Sequence, residues 1–100
     1  AWWLRLHGWR ILARRVKLRS GEIDLIARRG RTTAFVEVKA RRTTADLDTA
    51  IDAYRLRRVA AATNAVAHLY AKPGDDIRID VILVAPRSWP RHLTNVWQGG

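Results

Sequence analysis

The stretch that decides the fold is residues 21–42, GEIDLIARRGRTTAFVEVKARR. Apolar and polar residues alternate in both of its halves, and the first half contains Glu22, Ile23, Asp24 and Leu25. Because successive side chains of a β-strand point to opposite faces of a sheet, this alternation predicts strands over 22–28 and 33–40. Gly30, with an arginine on each side, is typical of a hairpin connection. The stretch is therefore expected to form an antiparallel hairpin.

The charged residues of this hairpin are expected to share one face. Glu37 and Lys39 are two residues apart on a strand, so their side chains leave the same face about 7 Å apart. Asp24 and Glu37 share a face if the loop has two or four residues; a two-residue loop at Gly30-Arg31 would set them directly opposite, with Cβ atoms about 5 Å apart. Two carboxylates at that spacing can share one hard divalent cation, with Lys39 beside it.

This set predicts metal-assisted hydrolysis of phosphodiesters. Asp24 and Glu37 would bind Mg²⁺ or Mn²⁺, which polarises the phosphate and activates water, and the Lys39 ammonium would stabilise the developing charge. Glu22, two residues before Asp24 on the same strand, is a candidate third ligand. An alternative stays open, because charged residues alternating with valine are ordinary in a half-solvated strand, where Glu22 or Glu37 would only pair with Lys39 or an arginine.

The charge balance indicates the partner. Nineteen Lys and Arg against nine Asp and Glu give a net charge of +10 and a pI near 11.5. Such an excess predicts a polyanionic partner, most often nucleic acid, with an anionic membrane surface or simple solubility as alternatives. The first 45 residues contain twelve basic side chains but only three acids, Glu22, Asp24 and Glu37. Because carboxylates repel phosphate, acids kept in such a field favour a cation-binding role.

Basic residues near the hairpin are the candidates for phosphate binding, with DNA expected ahead of RNA. They stand on the preceding strand, directly after FVEVK and in the long helix: Arg14, Arg15, Lys17, Arg19, Arg41, Arg42, Arg55 and Arg58. Solvated strand ends and exposed helical arginines are common, so a plain surface role is the alternative. Asp80 is expected to cap or pair with an arginine. The three histidines show no ligand spacing and are expected to be structural or exposed: His7, His68 and His92.

The rest of the chain completes an α/β pattern. In order, it predicts a helix over 2–7, a strand over 9–18, then after the hairpin a helix from about 48 to 71 and a strand over 77–85. A break in the long helix is possible near Asp52, and the tail is expected to be irregular up to a short apolar stretch at 93–97. The order α-β-β-β-α-β predicts one domain over 1–100. Since there is no initiating Met, its first helix is expected to be incomplete.

Two absences narrow the class of protein. Without cysteine the chain has neither disulfides nor thiolate zinc sites. No apolar run approaches the roughly 20 residues needed to cross a bilayer. A cytoplasmic protein without a membrane partner is the expectation.

Five segments together resemble the YraN family of small bacterial proteins: GWRILARR (8–15), GEIDLIA (21–27), FVEVKAR (35–41), RIDVILV (78–84) and HLTNVW (92–97). The resemblance covers nearly the whole chain, and GEIDLI followed by FVEVK at this spacing is highly specific. The family is placed in the restriction-endonuclease-like superfamily, near the Holliday junction resolvases.

The resemblance implies a PD-(D/E)xK-type core, a mixed central sheet flanked by helices, with Asp24, Glu37 and Lys39 on the catalytic positions. It implies an endonuclease for branched or structured DNA, with a nucleic-acid-binding module that no longer cleaves as the alternative and an RNA–protein scaffold as a third reading. Because related resolvases work as dimers, a homodimer is expected by analogy. Two departures stand out: related resolvases carry a further Glu on the first helix, which would precede Ala1, and the family tends to have Lys where this chain has Arg55.

Overall fold

The computed structural model describes residues 2–40, 42 and 53–97. In that part of the chain the elements follow the order α1 (Trp2–Leu6), β1 (Arg10–Leu18), β2 (Gly21–Arg29), β3 (Thr32–Ala40), α2 (Ala53–Tyr70), β4 (Asp76–Val84) and β5 (Arg91–Leu93). The predicted order α-β-β-β-α-β is confirmed, and so is the α/β class. The predicted helical residues 48–52, including the possible break at Asp52, lie outside the described residues.

The five strands form one mixed sheet in the order β1-β2-β3-β4-β5. Neighbouring strands are antiparallel except β3 and β4, which run parallel. The β2–β3 register pairs Arg29 with Thr32 and Leu25 with Val36, so Gly30 and Arg31 form the predicted two-residue loop. Gly30 has φ of 60°, a conformation that favours glycine and suits such a turn.

Helices α1 and α2 cover opposite faces of this sheet, because strands β1 to β4 present apolar residues on both sides. On one face α2 packs through Leu56, Val59 and Val66 against a cluster that includes Phe35 and Val81. On the other face, α1 and Trp9 pack against the sheet. They belong to a second buried cluster: Leu4, Trp9, Leu25, Ala27, Ala34, Val36 and Ile82. The predicted mixed sheet flanked by helices is therefore confirmed.

One detail of the β2 prediction is wrong. Strict alternation places Ile23 and Leu25 on the same face, but Ile23 packs in the α2 cluster and Leu25 in the α1 cluster. The β1–β2 pairing passes from Arg14–Leu25 to Val16–Ile23, and Arg15 between them has φ of 51°. The β1–β2 register does not shift at this point, since its shift lies between Ile11 and Ala13, and the change of face coincides with the left-handed backbone of Arg15 on the neighbouring strand.

The sequence did not predict β5, because three residues are too few to show a pattern. Val81, Ile82 and Leu83 of β4 pair with them. The segment that follows is held by a backbone hydrogen bond from Val96 to Ile79. Within 2–40, 42 and 53–97, no helix is long and apolar enough to cross a membrane.

Candidate active site

The candidate site lies where β2 and β3 separate. Their backbone pairing ends at Leu25–Val36, and Asp24 and Glu37 are the next residues beyond this last pair. At this point the backbone N–H of Val38 donates to Oδ2 of Asp24 over 2.8 Å. The Asp24 carboxylate therefore bridges two strands at the end of their pairing, beside the FVEVK motif.

Glu37 is the buried acid of the site, with a relative exposure of 4%. Its Oε1 accepts a hydrogen bond from Arg55 Nε at 2.8 Å and lies 3.4 Å from Lys39 Nζ. Lys39 is itself 8% exposed. Burying an acid and an amine is costly unless they are paired, so the Glu37–Lys39 pair needs a reason beyond packing.

Arg55 donates a hydrogen bond to Glu37 and is also influenced by the negative charges of the other two acids of the hairpin. Its hydrogen bond to Glu37 raises the pKa of the Arg55 guanidinium, opposed in part by desolvation. The negative charges of Glu37, Asp24 and Glu22 raise this pKa further. All three carboxylates therefore act electrostatically on one cation at the beginning of α2.

An open cavity of about 240 Å³ adjoins this cluster. Both sheet and helix supply its lining: Glu22, Glu37, Tyr54, Arg55, Arg58 and Val59. On β1, the exposed Lys17 pairs directly with Glu22 across the strands, so the basic edge of the sheet continues to the wall of this cavity.

Gly21 fixes the position of α2 against β2 beside this cavity. A Cβ at Gly21 would lie 2.2 Å from the carbonyl oxygen of Arg58, closer than any side chain could approach. Only a residue without a side chain lets the two backbones pack this closely. The second turn of α2 therefore rests on the first residue of β2, next to Glu22.

The predicted site residues divide into two groups. Glu37 and Lys39 lie side by side on β3, Asp24 accepts a hydrogen bond from the Val38 backbone between them, and Glu22 lines the cavity with Glu37, while the catalytic and metal-binding roles of these residues stay predictions. The predicted phosphate-binding residues within the described ranges are exposed: Arg14, Arg15, Lys17, Arg19, Arg42, Arg55 and Arg58. Arg41 lies outside the described residues. The sequence did not single out Arg55 as a partner of Glu37.

The site has hard oxygen donors that suit Mg²⁺. Among residues 2–40, 42 and 53–97, no group of three His, Asp or Glu side chains is placed to hold a metal on its own. Mg²⁺, however, commonly takes one or two protein carboxylates and fills its other positions with water and substrate phosphate oxygens. Asp24 and Glu37 are the two carboxylates that would supply those ligands, and metal binding by them, as by Glu22, stays a prediction.

Sequence reasoning missed the aromatic wall of the cavity. Tyr54 and Val59 line it together with Arg55 and Arg58. The signal was present in the helical spacing, since residues four apart on a helix lie on the same side. Tyr54 and Arg58 have this spacing, as do Arg55 and Val59.

Asp80 is a second buried acid, on the other face of the sheet. It accepts hydrogen bonds from Arg78 Nη2 at 2.8 Å and from the Asn95 backbone N–H at 2.9 Å, and it lies 2.8 Å from His92 Nε2. Burial acts to raise the pKa of Asp80, but the hydrogen bonds from His92, Arg78 and Asn95 outweigh it and lower that pKa. The predicted pairing of Asp80 with an arginine and the structural role of His92 are confirmed.

These features define a small α/β protein with a mixed sheet and a buried acid–lysine pair beside an open cavity. Residues 1–84 match the model of the uncharacterised protein family UPF0102. The chain belongs to this family, which is the YraN family of the resemblance above.

Relatives in several bacteria agree with this membership. The chain is 66% identical over 98 residues to a UPF0102 protein of Sphingopyxis alaskensis, an alignment that covers 98% of this chain and 84% of the relative. It is 65% identical over 98 residues to a UPF0102 protein of Erythrobacter litoralis, with the same coverage of both chains. A third UPF0102 protein, from Rhizorhabdus wittichii, is 66% identical over 99 residues, which are 99% of this chain and 84% of the relative.

Proposed function

We propose that this chain is a metal-dependent endonuclease that hydrolyses phosphodiesters in branched or structured DNA, in the manner of a Holliday junction resolvase. The observation that carries the proposal is the buried Glu37–Lys39 pair, of which Glu37 lines a cavity and between whose members the Val38 N–H binds Asp24. A domain of this size gains nothing in stability from such a pair that apolar side chains would not supply. Its retention beside a cavity favours a chemical role.

The proposed roles follow from the chemistry of each side chain. Asp24 and Glu37 would hold Mg²⁺ or Mn²⁺, and a bound divalent cation would polarise the scissile phosphate and lower the pKa of the attacking water. The Nζ atom of Lys39, which lies 3.4 Å from Glu37 Oε1, would stabilise negative charge developing on the phosphate oxygens. Low exposure of both side chains strengthens these interactions, because little water screens them.

The basic surface is the second part of the proposal. Arg14, Arg15 and Lys17 are exposed on the edge strand β1, Arg19 is exposed directly after it, and Arg58 lines the cavity from α2. Phosphate contacts of this kind position the nucleic acid without reading its sequence. We propose DNA as the partner ahead of RNA, and a homodimer as the active form by analogy with resolvases that cut two strands.

A non-catalytic nucleic-acid-binding module on the same fold is the alternative. The observation that favours it is the hydrogen bond from Arg55 to Glu37, which engages the central acid of the site. A site that no longer cleaves could keep the Arg55–Glu37 hydrogen bond as a structural contact. The two functions differ in one outcome, which is cleavage.

The decisive experiment is a cleavage panel on linear, single-stranded and four-way-junction DNA with Mg²⁺ or Mn²⁺. We expect the junction to be cut, and we expect Asp24→Ala and Glu37→Gln to lose more than about 100-fold in rate, since each removes a group acting on the transition state. Asp76→Asn is the matched control, because Asp76 is an exposed acid at the other end of the sheet.

Three results would count against the proposal. Cleavage that survives Asp24→Ala would point to another site or to contamination. Tight, salt-sensitive binding of junction DNA without any cleavage would favour the binding module. Failure of Mn²⁺ to bind the protein at all would contradict the metal role.

The basic surface has its own test in the salt dependence of DNA binding. Removing one phosphate-binding side chain lowers the slope of log K against log [salt] by about 1, because one counterion fewer is released. We expect this change for Lys17→Ala, measured by fluorescence anisotropy. Lys72→Ala is the control, since Lys72 follows α2 at the end of the sheet remote from Lys39. Equal slopes for both variants would place the phosphates elsewhere.

A further inference from the structure

We propose that Arg55 closes the site in the absence of substrate: it holds Glu37 until a phosphate takes its guanidinium, so that the divalent cation and the nucleic acid bind cooperatively. This inference rests on the proposed function, because it needs Glu37 to be a cation ligand. It adds a regulatory role for a residue that is neither buried nor part of the FVEVK motif.

The two partners of Glu37 differ in how freely they can leave. The Lys39 side chain is 9% exposed, whereas the Arg55 side chain is 54% exposed, and Glu37 between them is 5% exposed. Moving Lys39 would leave an unpaired charge in a poorly solvated place. Arg55 can turn outward into water at little cost, since an ion pair with one exposed partner is weak.

The contact atom makes Arg55 a competitor of the cation. Arg55 Nε donates to Oε1 of Glu37 at 2.8 Å, and Lys39 Nζ lies 3.4 Å from the same oxygen. A divalent cation on this carboxylate would therefore meet two positive groups already beside it. Both like-charge repulsion and loss of the hydrogen bond oppose cation binding while Arg55 stays in place.

A phosphate relieves this competition. A guanidinium binds phosphate through two parallel N–H donors, a geometry that a single carboxylate oxygen does not offer. Arg55 lines the cavity together with Arg58, so a phosphate entering there meets both. When Arg55 turns to the phosphate, Oε1 of Glu37 loses its competing donor and the cation binds more tightly.

Thermodynamic linkage makes the effect reciprocal, so the cation must also tighten nucleic-acid binding by the same factor. The exposure of Arg55 limits the size of this coupling. Exposed ion pairs are weak, so the coupling is expected to be about fivefold at most. Arg55 therefore changes the affinities for cation and nucleic acid by a modest factor and does not abolish either.

The test is a calorimetric titration of the whole protein with Mn²⁺ in the absence of DNA. We expect Arg55→Ala to bind Mn²⁺ about three- to fivefold more tightly than the wild type, because the competitor of Glu37 is gone. Arg57→Ala is the matched control: it removes the same charge from an exposed position of α2 outside the cavity lining, and its Mn²⁺ affinity should stay at the wild-type value. Arg55→Lys, which keeps the charge without the guanidinium, should fall between.

The second readout is the affinity for a four-way junction with phosphorothioate linkages at the branch, with and without Mn²⁺. Mn²⁺ should tighten junction binding more for the wild type than for Arg55→Ala. Structural damage would weaken Mn²⁺ binding, so a gain in affinity separates the proposed role from misfolding. If the wild type binds Mn²⁺ and cleaves DNA, but Arg55→Ala binds Mn²⁺ no more tightly than the wild type, the role of Arg55 is wrong and the proposed function stands. Absence of Mn²⁺ binding in every variant overturns both proposals.

Discussion

Glu37 and Asp80 are both buried acids on the parallel strands β3 and β4, but they face opposite sides of the sheet. Asp80 is 0% exposed, and its two oxygens are engaged by Arg78, His92 and the backbone of Asn95. Glu37 is 4% exposed, adjoins a cavity, and has in Arg55 a partner that reaches in from the surface.

The surroundings of these two acids distinguish a structural carboxylate from one that can bind a ligand. An ionised carboxylate in a protein interior must be satisfied by donors. Where those donors are fixed groups on every side, as around Asp80, the acid holds the fold together. Where one donor is half in solvent and the other side is open, as around Glu37, the acid can exchange a partner for a ligand.

The largest test of this contrast compares the stabilities of two isosteric variants. We expect Asp80→Asn to lower the free energy of unfolding by about 3 kcal/mol, because it removes the buried charge that holds Arg78 and His92. Glu37→Gln should cost only about 1 kcal/mol, since the adjoining cavity lets water reach the groups left behind. Urea unfolding followed by tryptophan fluorescence measures both. Equal costs for the two variants would remove the distinction between the acids.

A smaller effect is expected from Gly21→Ala, which tests the contact that positions α2 on the Glu37 side. The new methyl group would collide with the carbonyl oxygen of Arg58, so the helix must move away from β2 at a cost of about 2 kcal/mol. Gly30→Asn is the control, because the Gly30 position meets no neighbour within 4 Å and asparagine tolerates its positive φ. Thermal unfolding of both variants gives the comparison, and a stable Gly21→Ala protein would show that the close backbone contact is not required.

The smallest expected effect is the acid sensitivity of the Asp80 side. The pKa of Asp80 is lowered from its ordinary value of 3.8, so its charge adds stability above that value, and this stability is lost as the pH falls through the folded-state pKa. Stability should therefore decline below about pH 4 in the wild type and decline less steeply in Asp80→Asn. Part of the decline should remain, because the pKa of Asp75 is also lowered, by hydrogen bonds from the Lys72 backbone and Thr33 and by Arg28. Urea unfolding at several pH values measures the slopes, and parallel curves for the two proteins would contradict the assignment to Asp80.

Much of the fold on the Glu37 side could be predicted from local sequence. A two-residue turn at Gly30-Arg31 fixes the β2–β3 register as far as Leu25–Val36, and Asp24 and Glu37 are the next residues beyond that pair. The spacing of Glu37 and Lys39 alone places both on one face. These relations depend on residues near one another in the chain, and the period of a strand is enough to derive them.

The remaining features depend on contacts that no local pattern encodes. Arg55 meets Glu37 only because α2 crosses the sheet, and besides the nearby Arg78 the partners of Asp80 are residues twelve and fifteen positions later. Gly21 could be recognised as a turn residue, but its contact with Arg58 could not. Sequence spacing predicts which side chains share a face of one helix or strand. Which helix or strand that face contacts is determined by the packing of the whole domain.

The position of the Asp80 partners also bears on how the protein is made. A chain emerging from the ribosome exposes β4 in full once Val84 has left, yet Asp80 then has only Arg78 of its side-chain partners. His92, which belongs to β5, and Asn95, which follows β5, are synthesised later. Until synthesis has passed Asn95, the middle of β4 carries an incompletely satisfied charge, which disfavours its burial beside β3. The parallel half of the sheet is thus expected to close late, as a single event, after the β1–β2–β3 hairpins have already formed.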